Sequence, residues 1–192
     1  MSKAKAPSGK TAHVDHFAAD NLPPKSAWPD IDYSRLPELA ALPERINCAT
    51  ELLDNQAAIN RDARAVFDDT ISWSYSELLT QANRIANFLV NDLGIRPGNR
   101  ILLRSGNNPM YAACWFAVMK VGAIAVATMP LLRSRELTYI ADFAQVRTAL
   151  CDEKLVTELQ QTLEESKFLQ EIVCFNSTNE DELESRAARK PE

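Results

Sequence analysis

Residues 100–132, RILLRSGNNPMYAACWFAVMKVGAIAVATMPLL, constrain the fold more than any other stretch of the chain. Ile101, Leu102 and Leu103 form a short unbroken apolar run between Gly98 and Gly106, the pattern of a strand buried on both faces. Asn107 or Asn108 then caps a helix, because an asparagine side chain accepts from the free amides of a first turn, and Pro109 suits the first helical position. Met110 to Lys120 is apolar almost all round, so this helix is expected to meet little water. Gly122 stops it, and AIAVATM follows as a second fully buried strand. Parallel strands need a crossover, and a helix lying on the sheet supplies it, so the unit is β-α-β.

A membrane-spanning reading competes for the same residues. Met110 to Leu132 is long enough to cross a bilayer, with Lys120 as its one charge. A lysine near the middle costs roughly 2.5–3.5 kcal/mol on insertion scales, and Gly122 and Pro130 interrupt the helix. No flanking charge asymmetry supports insertion, so the soluble crossover is preferred and no membrane contact is expected.

Length and composition allow one domain with a sizeable core: 192 residues, 46% hydrophobic, 24% charged, formal charge −5. The mildly acidic balance argues against a nucleic-acid partner, which calls for a basic face. Cys48, Cys114, Cys151 and Cys174 show no CxxC spacing and lie in apolar runs. They suit small buried hydrophobes in a reducing compartment better than a disulfide frame or zinc site. The N-terminus has no apolar core or cleavage signal, so nothing marks export and the cytoplasm is the default.

Residues 1–10 are small, basic and polar, and are expected to be disordered. Residues 11–46 are expected to form an extended proline-rich arm laid over a domain surface. Pro23, Pro24, Pro29, Pro37 and Pro43 block long helices there, and Trp28, Ile31, Tyr33 and Leu36 offer something to bury. Residues 47–175 are expected to form the α/β unit. Asn47 caps a helix from Cys48 to Asn60 with Leu52, Leu53, Ala57 and Ile59 available for burial. Ala63 to Phe67 and Ile71 to Trp73 flank Asp68-Asp69-Thr70 as a hairpin. Ser74-Tyr75-Ser76-Glu77 is a capping box, and Leu78, Ala82, Ile85, Ala86, Leu89, Val90 and Leu93 recur at helical spacing up to Gly94. Ser134 caps a helix carrying Leu137, Ile140, Ala141 and Phe143. A strand at Thr148 to Cys151, a stripe of Leu155, Leu159 and Leu163, and a strand at Ile172 to Phe175 continue the alternation. It predicts a parallel sheet with helices on both faces. Residues 176–192 form a polar tail with little to bury, expected to fray or stay disordered.

Candidate chemistry is sparse. The imidazoles of His13 and His16 with Asp15 offer metal-ligating atoms, but catalytic sites usually take three good ligands on a fixed scaffold and this segment is loop-like, so surface histidines are preferred and no metal site is expected. No serine or cysteine has an obvious histidine base, and no catalytic residue is identified. The five glycines, at positions 9, 94, 98, 106 and 122, make neither GxGxxG nor GxxxxGK[ST]. Arg133 and Arg135 follow the second strand, where an arginine can pair with a phosphate, although a solvated helix start explains them as well. Arg147 is a weaker case.

Taken together, AHVDHFAADNLPP, NCATELLD, ISWSYSELLTQANRIANFLVNDLGIRPGNRILL, NNPMYAACWFAVMKVGAIAVATMPLLRSRELTYI and TALCDE resemble the start of an acyl-adenylate-forming, AMP-dependent synthetase. Within that superfamily they are most similar to 2-aminobenzoate and benzoate–CoA ligases. The resemblance implies a two-step reaction: ATP and a carboxylate give an acyl-adenylate and pyrophosphate, then the coenzyme A thiol displaces AMP. Magnesium accompanies the ATP. It also implies a Ser/Thr/Gly-rich phosphate loop and a mobile domain with a catalytic lysine, neither of which occurs in these residues. The chain therefore resembles a truncated N-terminal fragment, inactive alone and binding none of these cofactors unaided. Its partner is expected to be the remainder of the ligase, or a second copy through self-association. What carries over is Pro130, Leu131, Leu132 and Arg133, which the resemblance places near the coenzyme A nucleotide. The alternative is a free-standing, non-catalytic α/β interaction module.

Overall fold

A computed structural model of the chain describes residues 11–30, 36–43 and 45–192. Its helices are α1 (Phe17–Asp20), α2 (Pro37–Ala40), α3 (Asn55–Ile59), α4 (Tyr75–Asn91), α5 (Pro109–Lys120), α6 (Ser134–Ala144), α7 (Val156–Glu165) and α8 (Leu183–Ala188). Its strands are β1 (Arg64–Phe67), β2 (Ser72–Ser74), β3 (Arg100–Arg104), β4 (Ile124–Thr128), β5 (Thr148–Asp152) and β6 (Glu171–Phe175). β1 and β2 form an antiparallel hairpin, and the other four make a parallel sheet in the order β4-β3-β5-β6. The expected fold class is therefore the observed one. The expected disordered start at residues 1–10 lies outside the described residues, as do Ile31 and Tyr33.

β3 separates two apolar layers. Ile101 and Leu103 pack in one cluster with residues of α4, α5 and α8, while Leu102 packs in another with Leu137 and Ala141 of α6 and Leu159 of α7. Leucine-to-alanine changes in such a core typically cost about 2–5 kcal/mol. Asn108 caps α5 as its spacing implies, its Oδ1 accepting from the Tyr111 N–H at 2.9 Å, with Pro109 opening the helix. The capping box of α4 closes too: Glu77 N–H donates to Ser74 Oγ at 3.3 Å, and Ser74 N–H donates to the Glu77 carboxylate at 2.8 Å.

Several local expectations give way to longer-range effects. The AIAVATM strand is not buried on both faces, because β4 is an edge strand and four of its five residues keep solvent contact. Ser134 is the first residue of α6 and not its cap; the Arg133 N–H donates to Glu136 and the Ser134 N–H to Glu158, so two carboxylates satisfy the helix start. Phe143 faces solvent. Asn47 does cap its helix, but Thr50–Asp54 form a wider π-helical turn before α3. That turn breaks the 3.6-residue phase, burying Leu53 and Ala57 while Leu52 and Ile59 stay exposed.

The cysteines divide. Cys48 is exposed, against expectation, whereas Cys114, Cys151 and Cys174 are buried, and all four are free. Burial pushes the Cys151 thiol up to about 12 and the Cys174 thiol up to about 11, so both stay protonated and unreactive at neutral pH.

The arm is not uniformly extended: it carries α1, a turn at Lys25–Ala27 and α2. Its first part is tied down, with the Val14 and Asp15 N–H groups both donating to Pro97 O at 3.1 Å. Its proline-rich part leaves Trp28 and Leu36 exposed, so these two do not supply the burial expected of them, and Leu22 and Leu42 are exposed beside them.

The tail expected to fray is folded instead. Leu183 and Ala187 are buried, and the Arg186 guanidinium lies 4.4 Å above the Phe88 ring of α4. Arg84 pairs with Glu192 at 2.5 Å, and Lys190 with Asp92. Glu182 and Glu184 accept from the Cys174 and Asn176 N–H groups at 2.6 and 2.5 Å, along the outer edge of β6. Among the described residues, no helix is long and apolar enough to cross a membrane.

Candidate functional site

In open parallel sheets, ligands bind outside the carboxyl ends of the strands, where connecting loops leave a crevice. Here that edge carries a cavity of about 540 Å³. The β1–β2 turn contributes Asp68, Thr70 and Ile71, the loop after β3 contributes Gly106 to Pro109, and Pro130 follows β4. Asp152, Lys154, Leu155 and Asn176 close the other side. The hairpin turn is rigid: the Asp68 carboxylate accepts from the Thr70 and Ile71 N–H groups at 2.7 and 2.8 Å. Those backbone hydrogen bonds hold Asp68 below the usual carboxylate range.

Two buried charges organise the edge. Asp152 accepts from Asn176 Nδ2 at 2.7 Å, Asn108 Nδ2 at 3.2 Å and Ser105 Oγ at 3.4 Å, which ties the ends of β3, β5 and β6 together. Arg104 is 1% exposed. Its Nε donates to Leu155 O at 3.2 Å, Nη1 to Met129 O at 3.0 Å, and Nη2 to Pro130 O at 3.0 Å and Leu132 O at 2.8 Å. Burial pulls its pKa down, yet an arginine stays charged in any protein.

The four residues singled out by the resemblance occupy this region unequally. Pro130 lines the cavity, Leu131 is 81% exposed and Leu132 is half-buried. Arg133 is exposed but engaged, its Nη1 donating to Glu158 Oε1 at 2.9 Å. That hydrogen bond, with one from the Ser134 N–H, holds Glu158 below the usual carboxylate range. Arg135 is exposed at the start of α6, and Arg147 precedes β5 at the opposite edge of the sheet. His13 and His16 flank Asp15, whose carboxylate is already bound to Arg100 and Asn99. Among the described residues no three His, Cys, Asp or Glu side chains converge as a metal site. Sequence reasoning missed Arg104, Asp152 and Asn176. The signal for Arg104 was its place immediately after the apolar run of the central strand.

These residues do not fit a triphosphate. Gly94, Gly98 and Gly122 adopt positive φ in chain reversals, and Gly106 is the one glycine at the cavity. A phosphate cradle needs successive amides turned inward by closely spaced glycines.

Residues 53–192 match the model of the AMP-binding enzyme family. The chain belongs to that family. It is 26% identical over 153 residues to a benzoate–CoA ligase of Thauera aromatica, covering 79% of this chain and 29% of the relative. It is 32% identical over 123 residues to a 2,3-dihydroxybenzoate-AMP ligase of Bacillus subtilis, covering 62% and 21%. A crystal structure of an anthranilate CoA ligase with anthranoyl-AMP superposes with a TM-score of 0.71 at 22% identity, over 79% of this chain and 29% of that one. A benzoate CoA ligase from Burkholderia xenovorans superposes with a TM-score of 0.67 at 24% identity, over 76% and 29%. At such identities the structures speak for the fold. The chain spans less than a third of the length of these relatives.

Proposed function

We propose that this chain is the first α/β subdomain of an ATP-dependent aryl acid–CoA ligase of the benzoate or 2-aminobenzoate type, working in the cytoplasm. The observation that carries the reading is the family match over residues 53–192, joined to a preformed cavity at the carboxyl edge of the sheet. In the complete reaction, the carboxylate would displace pyrophosphate from ATP, which magnesium accompanies, to give an acyl-adenylate, and the coenzyme A thiol would then displace AMP to give the thioester. Adenylation turns a poor leaving oxide into a good one, and a bound thiol attacks with high effective concentration.

The chain's own residues hold and orient. The turn Pro130–Arg133 offers coenzyme A an exposed apolar knuckle at Leu131 and a cation at Arg133, while Asp152 and Arg104 keep the surrounding loops in one arrangement. The grip on ATP and the catalytic lysine belong to the remainder of the ligase, so the chain alone is inactive. An assay with ATP, magnesium, coenzyme A and benzoate or 2-aminobenzoate tests this. The isolated chain is expected to give no aryl-CoA, whereas a chimera in which it replaces the matching N-terminal segment of the Thauera enzyme is expected to ligate. Turnover by the chain alone overturns the inactivity, and a folded chimera that cannot ligate overturns the assignment.

A further inference from the structure

We infer that Arg104 is a positioning residue that moulds the Met129–Leu132 turn, and through that turn the coenzyme A contact. The second half of this inference rests on the reading above; the first half stands on geometry alone.

Met129 to Leu132 form a tight turn closed by the Leu132 N–H donating to Met129 O at 3.2 Å. Three carbonyls of that turn, from Met129, Pro130 and Leu132, converge on one guanidinium at 2.8–3.0 Å. Carbonyl oxygens repel one another at such a focus, so the turn holds its shape because a cation fills it. A planar fork with five donors in fixed directions suits four carbonyls at once, whereas a lysine ammonium has three donors on a flexible stem. With its carbonyls drawn inward, the turn presents Leu131 outward, 81% exposed. Thr128 anchors the approach, its Oγ1 donating to Leu103 O at 3.1 Å.

Simple core packing does not account for this residue. Leu102, two positions earlier and so on the same face of β3, is a fully buried apolar side chain, and an apolar residue at position 104 would avoid burying a cation. The cation instead makes four hydrogen bonds to backbone carbonyls and, among the described residues, none to a carboxylate. Its charge therefore has no carboxylate in direct contact among the described residues, and Glu158 acts on it only from a distance.

The variants Arg104→Lys and Arg104→Met test both halves. In the isolated chain, hydrogen exchange at the Leu132 amide is expected to quicken about tenfold, while the capping-box amides of α4 exchange as before and the melt stays cooperative. In the ligating chimera, KM for coenzyme A is expected to rise about tenfold, with coenzyme-independent formation of aryl-adenylate unchanged. Guanidinium ion added to Arg104→Ala is expected to restore protection at Leu132. Wild-type protection of that amide in both variants overturns the moulding role. Global melting of both variants assigns Arg104 to the core and overturns it as well. Equal loss of adenylation and thioester formation overturns the link to coenzyme A. A wild-type chimera that fails to ligate refutes the functional reading and that link together, and leaves the exchange result to decide the moulding role.

Discussion

Arg100 and Arg104 mark the two ends of the same strand, the first partly buried and the second fully, yet they are satisfied in opposite ways. Arg100 is ion-paired: it bonds the Asp15 carboxylate, lies 4.6 Å above the Phe17 ring, and donates to the carbonyls of Gly98, Ala144 and Gln145. Among the described residues, Arg104 is bound by carbonyls alone. At the amino edge, charge is balanced and the N-terminal arm is latched shut. At the carboxyl edge, a cation with no carboxylate hydrogen-bonded to it among the described residues has a loop shaped around it, and Glu158 acts on it only from a distance. The difference teaches that one edge uses its arginine to hold the arm and the other to shape a loop, although sequence alone shows two arginines four residues apart.

The largest expected effect breaks the latch outright. Arg100→Met leaves a partly buried carboxylate and three carbonyls without their donor, and should cost about 3 kcal/mol in urea denaturation. A loss below about 1 kcal/mol would place this pair among ordinary surface salt bridges. Next comes Gly98→Ala, at φ +90°, where an added Cβ would lie 2.2 Å from Asp15 O. Backbone strain and displacement of the arm should together cost about 2 kcal/mol, and an unchanged midpoint would show that the arm is not seated there.

The smallest effect sharpens the contrast through pH. Burial acts to raise the Asp15 pKa, but hydrogen bonds from the Phe17 N–H, Arg100 and Asn99 outweigh it and leave it below its ordinary value. A carboxylate depressed in the folded state contributes stability that is complete above its unfolded pKa, about 3.9, and lost as pH falls through the lower folded value. Wild type should therefore lose stability more steeply than Asp15→Asn on acidification below about pH 4. Parallel curves would exclude a latch carried by charge.

Local pattern made much of this fold legible. Ile101 to Leu103, Asn108 with Pro109, and the Ser74–Glu77 box act within a few residues, so their signals survive in one dimension. Strand order does not: AIAVATM is apolar wherever it lies, and only the assembled sheet makes β4 an edge. The fold of the tail is hidden in its sequence because two buried residues, Leu183 and Ala187, are diluted among polar residues whose partners, on α4 and just past its end, are about a hundred positions away. The site was less legible still. Pro130 to Arg133 stood out by resemblance, but Arg104 and Asp152 draw their meaning from loop carbonyls and amides brought together by folding.

The carboxylates of Glu182 and Glu184, resting on the outer amides of β6, have a consequence for life in a crowded solution. A foreign strand arriving along that border meets donors already occupied and negative charge that repels its own carbonyls, so growth of one sheet onto another is discouraged there. The tail thereby acts as a gatekeeper of that flank.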